Sequence, residues 1–199
     1  MSGAHLSLQN LACLRGGRLL FAGVDLELRA GGSGQIAGPN GVGKSSLLRV
    51  VAGLLQPYAG SVAREGAVAL ADELDALDRD RTVHGALGFW ARIDEAPLER
   101  IDAVLADLGI GHLADIPVRM LSTGQRKRAA LARLMVSGAP IWLLDEPANG
   151  LDVETAAELG RLVDRHRAQG GIVLAASHLP LAWAQDVTLH LHSPQESAA

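Results

Sequence analysis

Residues 38–45, Gly38-Pro39-Asn40-Gly41-Val42-Gly43-Lys44-Ser45, decide the fold of this chain. They fit the pattern G-x-x-x-x-G-K-[ST] and lie between a short apolar run at 34–38 and a segment at 44–55 with apolar residues at helical spacing. Such a strand–loop–helix unit binds phosphate, because backbone N–H groups of the loop and the helix N-terminus face the anion. We expect Lys44 to contact the β- and γ-phosphates and the Ser45 hydroxyl to ligate Mg²⁺. A plain glycine turn is the alternative, and the strand-to-helix context favours the phosphate-binding loop.

A second candidate site is the run IWLLDEP at 141–147, an apolar strand that ends in two adjacent acids. Ligand sites of open α/β sheets lie at such strand ends. Because adjacent strand residues face opposite sides, we expect Asp145 and Glu146 to differ in role. One would belong to the Mg²⁺ shell and the other would address the attacking water. The alternative interpretation is a pair of acids that simply begins a loop.

A third element is LSTGQ at 121–125, which opens the predicted helix RKRAALARLM. Ser122 or Thr123 suits an N-cap, and by itself this indicates only a helix start. A helix N-terminus with a free hydroxyl and a glycine, Gly124, also suits an anion such as a γ-phosphate.

The composition describes one globular domain. The chain has 199 residues, 48% hydrophobic and 20% charged, a net charge of −4 and a pI near 5.9. This balance excludes a disordered or fibrous chain and argues against a mainly electrostatic nucleic-acid binder. The lone Cys13 is expected to be a small buried hydrophobe. No signal peptide is expected at the N-terminus, and no run approaches the ~20 apolar residues of a membrane span, so we expect membrane contact only through a partner.

The order of predicted elements indicates an α/β fold over 1–199. Alternating residues at 5–14 and 23–32 predict an N-terminal antiparallel β piece. Helical patterns at 82–93, 96–110 and 122–138 predict an inserted helical subdomain at about 76–135. Apolar runs at 139–147 and 171–177 flank a helical pattern at 152–171, which is typical of βαβ units in a doubly covered parallel sheet. The tail at about 193–199 is expected to be flexible.

Taken together, the motifs resemble the nucleotide-binding domains of ABC transporters over nearly the whole chain. The matching motifs, in order, are GPNGVGKS at 38–45, LSTGQ at 121–125, IWLLDE at 141–146, ANGLD at 148–152 and Ser177-His178. The resemblance implies a P-loop NTPase fold of the ABC ATPase type, with ATP and Mg²⁺ as ligands.

The resemblance also implies roles for individual residues. Asp145 would support the metal with Ser45, Glu146 would polarise the hydrolytic water, and His178 would contact the γ-phosphate. Two chains would pair head to tail, so that Ser122 and Gly124 of one copy close over ATP on the other. The implied nucleotide-binding residues are Gly38, Pro39, Asn40, Gly41, Val42, Gly43, Lys44, Ser45, Ser46, Ser122, Gly124 and Gln125.

The sequence departs from the family pattern at two places. Arg15 stands where the family usually has an adenine-stacking aromatic residue, so any stacking would use a guanidinium plane. Asp72 or Glu73 stands where the family usually has a glutamine that links Mg²⁺ to the transmembrane partner. An acid there would ligate the metal directly or through water, and would tune or slow hydrolysis.

A closer resemblance is to the ATP-binding subunits of the cytochrome c biogenesis (haem) exporters. It rests on the runs at 13–28, 82–91, 121–134 and 139–152. It implies an ATPase peripheral to the cytoplasmic face of the bacterial inner membrane, with transmembrane partner subunits. The ATPase would serve haem export or the ATP-driven release of a haem chaperone.

The partner's cytoplasmic helix would dock at about 73–90, where Phe89 and Trp90 are either a docking anchor or core of the helical subdomain. Basic Arg126, Lys127 and Arg128 are either a solvated face or an aid to closure. The alternative functions are an ABC ATPase of another exporter, a soluble ABC ATPase acting on ribosomes or DNA, and a P-loop kinase.

Overall fold

The computed structural model describes residues 3–72 and 77–192. The described residues fall into two compact units, one within Met1–Leu70 and Pro140–Ala199 and the other within Ala71–Ala139. Glu73 and the predicted flexible tail lie outside the described residues. Within the described ranges, no helix combines the length and the apolar character needed to cross a bilayer.

The first unit contains two sheets. The strands are β1 (His5–Arg15), β2 (Arg18–Arg29), β3 (Ser33–Ala37), β4 (Ala59–Glu65), β5 (Val68–Ala71), β6 (Ile141–Asp145), β7 (Ile172–Ala176) and β8 (Val187–His190). One sheet has the order β2-β1-β4 and is antiparallel, as the sequence predicted for its first two strands. The other has the order β5-β6-β7-β3-β8, and its pairs β6–β7, β7–β3 and β3–β8 are parallel.

The described part of the first unit contains two α-helices, α1 (Lys44–Ala52) and α5 (Val153–Ala168). α1 packs against β6 and β7, and α5 packs against β7. The predicted helix at 44–55 is too long, because Gly53 takes a left-handed backbone, φ +80°, and ends α1. α5 begins after Asp152, whose carboxylate accepts from Thr155 N–H at 2.8 Å and caps the helix.

The core of the first unit joins both sheets and α1. Leu6, Leu8 and Phe21 of the antiparallel sheet, Leu47 and Leu48 of α1, and Leu143 and Leu174 of the parallel sheet are all at most 2% exposed. The runs of β6 and β7 are buried throughout, which is why they are continuously apolar rather than alternating. Cys13 is buried among these residues as expected, and burial raises the pKa of its thiol.

The second unit is helical in its described part. It contains α2 (Val83–Ile93), α3 (Arg100–Asp107), α4 (Thr123–Ser137) and two single turns of 3-10 helix, Gly111–Leu113 and Val118–Met120. Thr82 caps α2 by accepting from Gly85 N–H. The predicted helix at 96–110 is shorter in the structure, because a turn from Pro97 to Arg100 precedes α3 and Gly109 at φ +66° follows it. α2, α3 and α4 pack against one another.

Candidate active site

The phosphate-binding loop joins β3 to α1. Gly43 is the residue before α1, with φ +116°, and no side chain caps this helix. Its first backbone N–H groups therefore have no helical acceptor and no side-chain cap. A Cβ at Gly43 would lie 3.1 Å from Leu20 Cβ and from Phe21 Cδ1, so glycine is required for the loop to approach β2. The loop has the open N-terminus that an anion needs.

Lys44 is buried, with 6% of its side chain exposed. Its Nζ donates to the carbonyl oxygens of Gly38 at 3.0 Å and Pro39 at 3.4 Å, so the loop curls around the ammonium group. The same Nζ lies 3.4 Å from Oε1 of Glu146. A buried ammonium requires such partners.

Glu146 directly follows β6. Its N–H donates to Ala176 O at 2.8 Å, but its φ of +46° turns the chain away from the sheet. A left-handed backbone at a residue other than glycine is uncommon and costs energy, and such residues cluster at functional sites. Here it places the carboxylate, which is 12% exposed, between Lys44 and His178.

His178 is the partner of Glu146 from the turn after β7. Its Nδ1 lies 2.8 Å from Oε2 of Glu146, and its backbone N–H donates to the same oxygen at 3.3 Å. The carboxylate therefore bridges an ammonium group and an imidazole. The geometry brings together three residues that are 32 or more positions apart in sequence.

Asp145 and Ser45 are the predicted metal ligands. Asp145 ends β6 and is buried, while Ser45 lies in the first turn of α1, which packs against β6. Hydroxyl and carboxylate oxygens are hard ligands of the kind Mg²⁺ prefers. Among the residues that the structure describes, no group of three or more His, Cys, Asp or Glu side chains is placed to hold a metal alone. This donor set therefore fits Mg²⁺ that is shared with nucleotide phosphates and waters.

The LSTGQ motif opens α4 in the second unit. Ser122 is the N-cap: its Oγ accepts from Gln125 N–H at 3.3 Å, and Gln125 Oε1 accepts from Ser122 N–H at 2.9 Å. This reciprocal capping box engages the Gln125 side chain within its own helix, while the Ser122 hydroxyl proton stays available for donation. Gly124 faces open space, with nothing within 4 Å of a Cβ placed there.

Two of the residues that depart from the family pattern are described in the structure, Arg15 and Asp72. Arg15 pairs with Arg18 beside the two-residue turn of the β1–β2 hairpin, and its side chain is exposed. Asp72 is half-buried. The contacts described do not assign either side chain a role, so both stay predictions.

The aromatic pair of α2 differs in environment. Phe89 is 44% exposed, whereas Trp90 is half-buried and has the Arg133 guanidinium carbon 3.7 Å from its ring centroid. Burial lowers the pKa of Arg133, and Asp94 and Asp72 oppose that effect. Trp90 therefore packs within the helical unit. The basic residues Arg126, Lys127 and Arg128 are half-buried on α4.

Gln35 belongs to none of the sequence motifs that predict the site. This residue lies on β3, and its side-chain amide contacts the backbone on both sides of His178. One feature of the sequence could have pointed to Gln35: it is the one residue with a long polar side chain in SGQIA, the strand that leads into the phosphate-binding loop.

The fold and this site define an ABC-type ATPase. The family model described as ABC transporter matches residues 21–149, and the chain belongs to this family. It is 52% identical over 177 residues, 89% of the chain and 91% of the relative, to the cytochrome c biogenesis ATP-binding export protein CcmA of Sphingopyxis alaskensis. It is 50% identical to the protein of that name from Novosphingobium aromaticivorans, over 98% of the chain and all of the relative.

A solved structure supports the fold independently. An inward-facing metal-chelate type ABC transporter superimposes with a TM-score of 0.83 at 26% identity, covering 96% of this chain and 80% of that one. The fold class and the family resemblance predicted from the sequence are therefore confirmed.

Proposed function

We propose that this chain is the ATP-hydrolysing subunit of an ABC exporter that serves cytochrome c biogenesis. The observation that carries the ATPase part is the Glu146 carboxylate, which lies between the buried Lys44 ammonium and the His178 imidazole beside the phosphate-binding loop. The biogenesis part rests on the relatives that carry this name at 52% and 50% identity over most of their length.

In the proposed reaction, the phosphate-binding loop and Lys44 hold the β- and γ-phosphates. Lys44 exchanges its contact with Glu146 for phosphate oxygens, and this exchange frees the carboxylate. Glu146 then polarises a water for in-line attack on the γ-phosphorus and accepts its proton as the bond to the ADP oxygen breaks. His178 fixes the orientation of the carboxylate through its backbone N–H and its Nδ1–H, and the ring contacts the γ-phosphate.

Mg²⁺ would be held by Ser45 and Asp145 together with phosphate oxygens. It supplies neutralisation of the charge that develops on the β- and γ-phosphates. This assignment is supported by the position of both residues at one end of α1 and β6 and by their oxygen ligands.

The active form is a head-to-tail homodimer in this proposal. Ser122 and Gly124 of one copy close over the ATP that is bound to residues 38–46 of the other. Gly124 supports this: it faces open space in the chain alone, so packing within the chain does not require a glycine there. The N-terminus of α4 would attract a γ-phosphate through its positive dipole, the Ser122 hydroxyl would donate to it, and Gly124 would leave room for it.

Transmembrane subunits would carry the transport path, with this chain peripheral on the cytoplasmic side. Closure and reopening of the dimer would move the transmembrane subunits, which would dock on the segment at 73–90. Phe89 is an exposed residue of this segment. Whether the ATP cycle drives haem export or the release of a haem-loaded chaperone would be set by those subunits.

Two experiments separate this proposal from its alternatives. Phosphate release from ATP, assayed with no acceptor added, should yield ADP and phosphate in equal amounts, whereas a P-loop kinase would need an acceptor. Affinity isolation of the tagged chain from gently solubilised native membranes should recover polytopic proteins and a haem spectrum. Recovery only with ribosomal or DNA-bound material would keep the ATPase chemistry and overturn the exporter.

A further inference from the structure

Gln35 is an unusual residue for its position. β3 pairs with β7 on one side and β8 on the other, so it is an interior strand of the parallel sheet, where apolar residues are the rule. A half-buried carboxamide at this place needs hydrogen-bond partners. Its Nε2 donates to the carbonyl oxygens of Ser177 and Leu179, each at 3.4 Å.

These two carbonyl groups flank His178 on either side. The turn has further internal bonds: Ser177 Oγ donates to Leu179 O at 2.9 Å, and Leu179 N–H donates to Ser177 Oγ at 3.0 Å. Ser177 N–H donates to Ile36 O at 3.1 Å, which anchors the start of the turn to β3. Hydrogen bonds from Gln35 and Ser177 therefore hold the backbone on both sides of His178.

The ring itself is not held by burial, since 37% of the His178 side chain is exposed. Its orientation toward Glu146 thus depends on the backbone of the turn. Gln35 contacts that backbone, and the described contacts of its side chain include neither the loop at 38–43 nor Lys44.

We propose that Gln35 is a positioning residue for hydrolysis: its carboxamide holds the Ser177–Leu179 turn so that His178 keeps its contact with Glu146. This rests on the proposed function, because it concerns the same reaction. It predicts that losing the two donated hydrogen bonds slows the chemical step and leaves nucleotide binding intact.

The informative variant is Gln35→Met, which keeps the length and shape of the side chain and removes its N–H donors. We expect kcat for phosphate release to fall about tenfold, as small misplacements of catalytic groups do, with KM for ATP within about twofold of wild type. Gln35→Glu, which turns an acceptor toward two carbonyl groups, should be at least as slow. If Gln35 only fills space, Gln35→Met will retain wild-type kcat, and that result overturns the proposal.

A double-mutant cycle tests the route through His178. In a His178→Ala background, Gln35→Met should change kcat by less than about twofold, because the group that it positions is gone. A full tenfold effect in that background would also overturn the proposal. The matched control is Gln9→Met, an exposed glutamine on β1 of the antiparallel sheet, which should leave kcat and thermal stability unchanged.

The assay uses the chain together with its membrane subunits. If the wild-type complex releases no phosphate from ATP, the proposed function itself fails. If the wild-type complex is active and Gln35→Met matches it, only the role of Gln35 fails.

Discussion

The Nδ1 atom of His178 lies 2.8 Å from Oε2 of Glu146, while the other carboxylate oxygen lies 3.4 Å from the Lys44 ammonium. Glu146, which we propose activates water, is thus paired with Lys44, which we propose binds phosphate. In the proposed function, this ion pair would link nucleotide binding to the release of Glu146 for catalysis.

Gly124→Val tests whether the LSTGQ glycine faces a second copy of the chain. The site has open space around a Cβ, and valine has a better helix propensity than glycine, so we expect no loss of thermal stability. Phosphate release should fall more than about tenfold, because the added methyl groups would meet the nucleotide of the other copy. Thermal unfolding and phosphate release on one preparation check both parts. A variant that is folded and fully active would exclude closure over ATP at this residue.

Arg15→Ala tests whether the hairpin arginine contacts the nucleobase. Stacking of a guanidinium plane on an aromatic group contributes about 0.5–2 kcal/mol, so the affinity for ATP should fall about two- to thirtyfold. Binding of inorganic tripolyphosphate, which has no base, should not change, and Arg15→Lys should not restore the affinity for ATP. Equilibrium titrations with both ligands provide the measurement. If Arg15→Ala weakened the binding of ATP and of tripolyphosphate equally, Arg15 would act through its charge and not by contacting the base.

His166 predicts a pH dependence of folding stability. Its ring stacks on Trp142 of β6 at 3.8 Å, and Nε2–H donates to Pro140 O at 3.2 Å. Burial lowers the pKa of His166, and hydrogen bonds to the backbone at Pro140 and Ile172 oppose that effect. The folded state therefore favours the neutral ring. As the pH falls below the unfolded value near 6.5, the unfolded chain gains a proton that the folded chain resists, and stability is lost.

The measurement is urea unfolding of wild type and His166→Phe at pH 7.5 and 5.5. Phenylalanine keeps a stacking ring and removes the titrating group. The free energy of unfolding should therefore decline more steeply for wild type than for the variant as the pH is lowered. The comparison with the variant cancels the contributions of the other histidines. Parallel declines would show that His166 is not linked to folding.

The sequence predicted the elements whose local chemistry is distinctive. The phosphate-binding loop follows from glycine and lysine spacing, and the start of α4 follows from Ser122 and Thr123 as N-cap candidates, of which Ser122 is the cap. β4 escaped prediction because six of its seven residues are exposed and show no alternation, so only its pairing with β1 reveals it. β5 and β8 have four residues each, too few for a periodic signal.

The sequence predicted the candidate site only in part, because the positions of its side chains depend on tertiary packing. Local spacing identifies Lys44 and Glu146 one at a time, whereas His178 is identified only through the order of motifs in a known family. The left-handed turn at Glu146 and the reach of Gln35 across to the turn after β7 depend on tertiary packing, which has no local sequence signature.

Glu146→Gln tests the central claim most directly, with ATP binding and phosphate release measured on the same preparation. Replacing the carboxylate by an amide removes the anion beside Lys44 and the proton acceptor for water. ATP should therefore bind at least as tightly as to wild type, while phosphate release should fall about 10²–10⁴-fold. The matched control is Glu95→Gln, an exposed glutamate that also has a left-handed backbone, φ +53°, and it should behave as wild type. Undiminished phosphate release by Glu146→Gln would contradict the assignment of Glu146 to water activation.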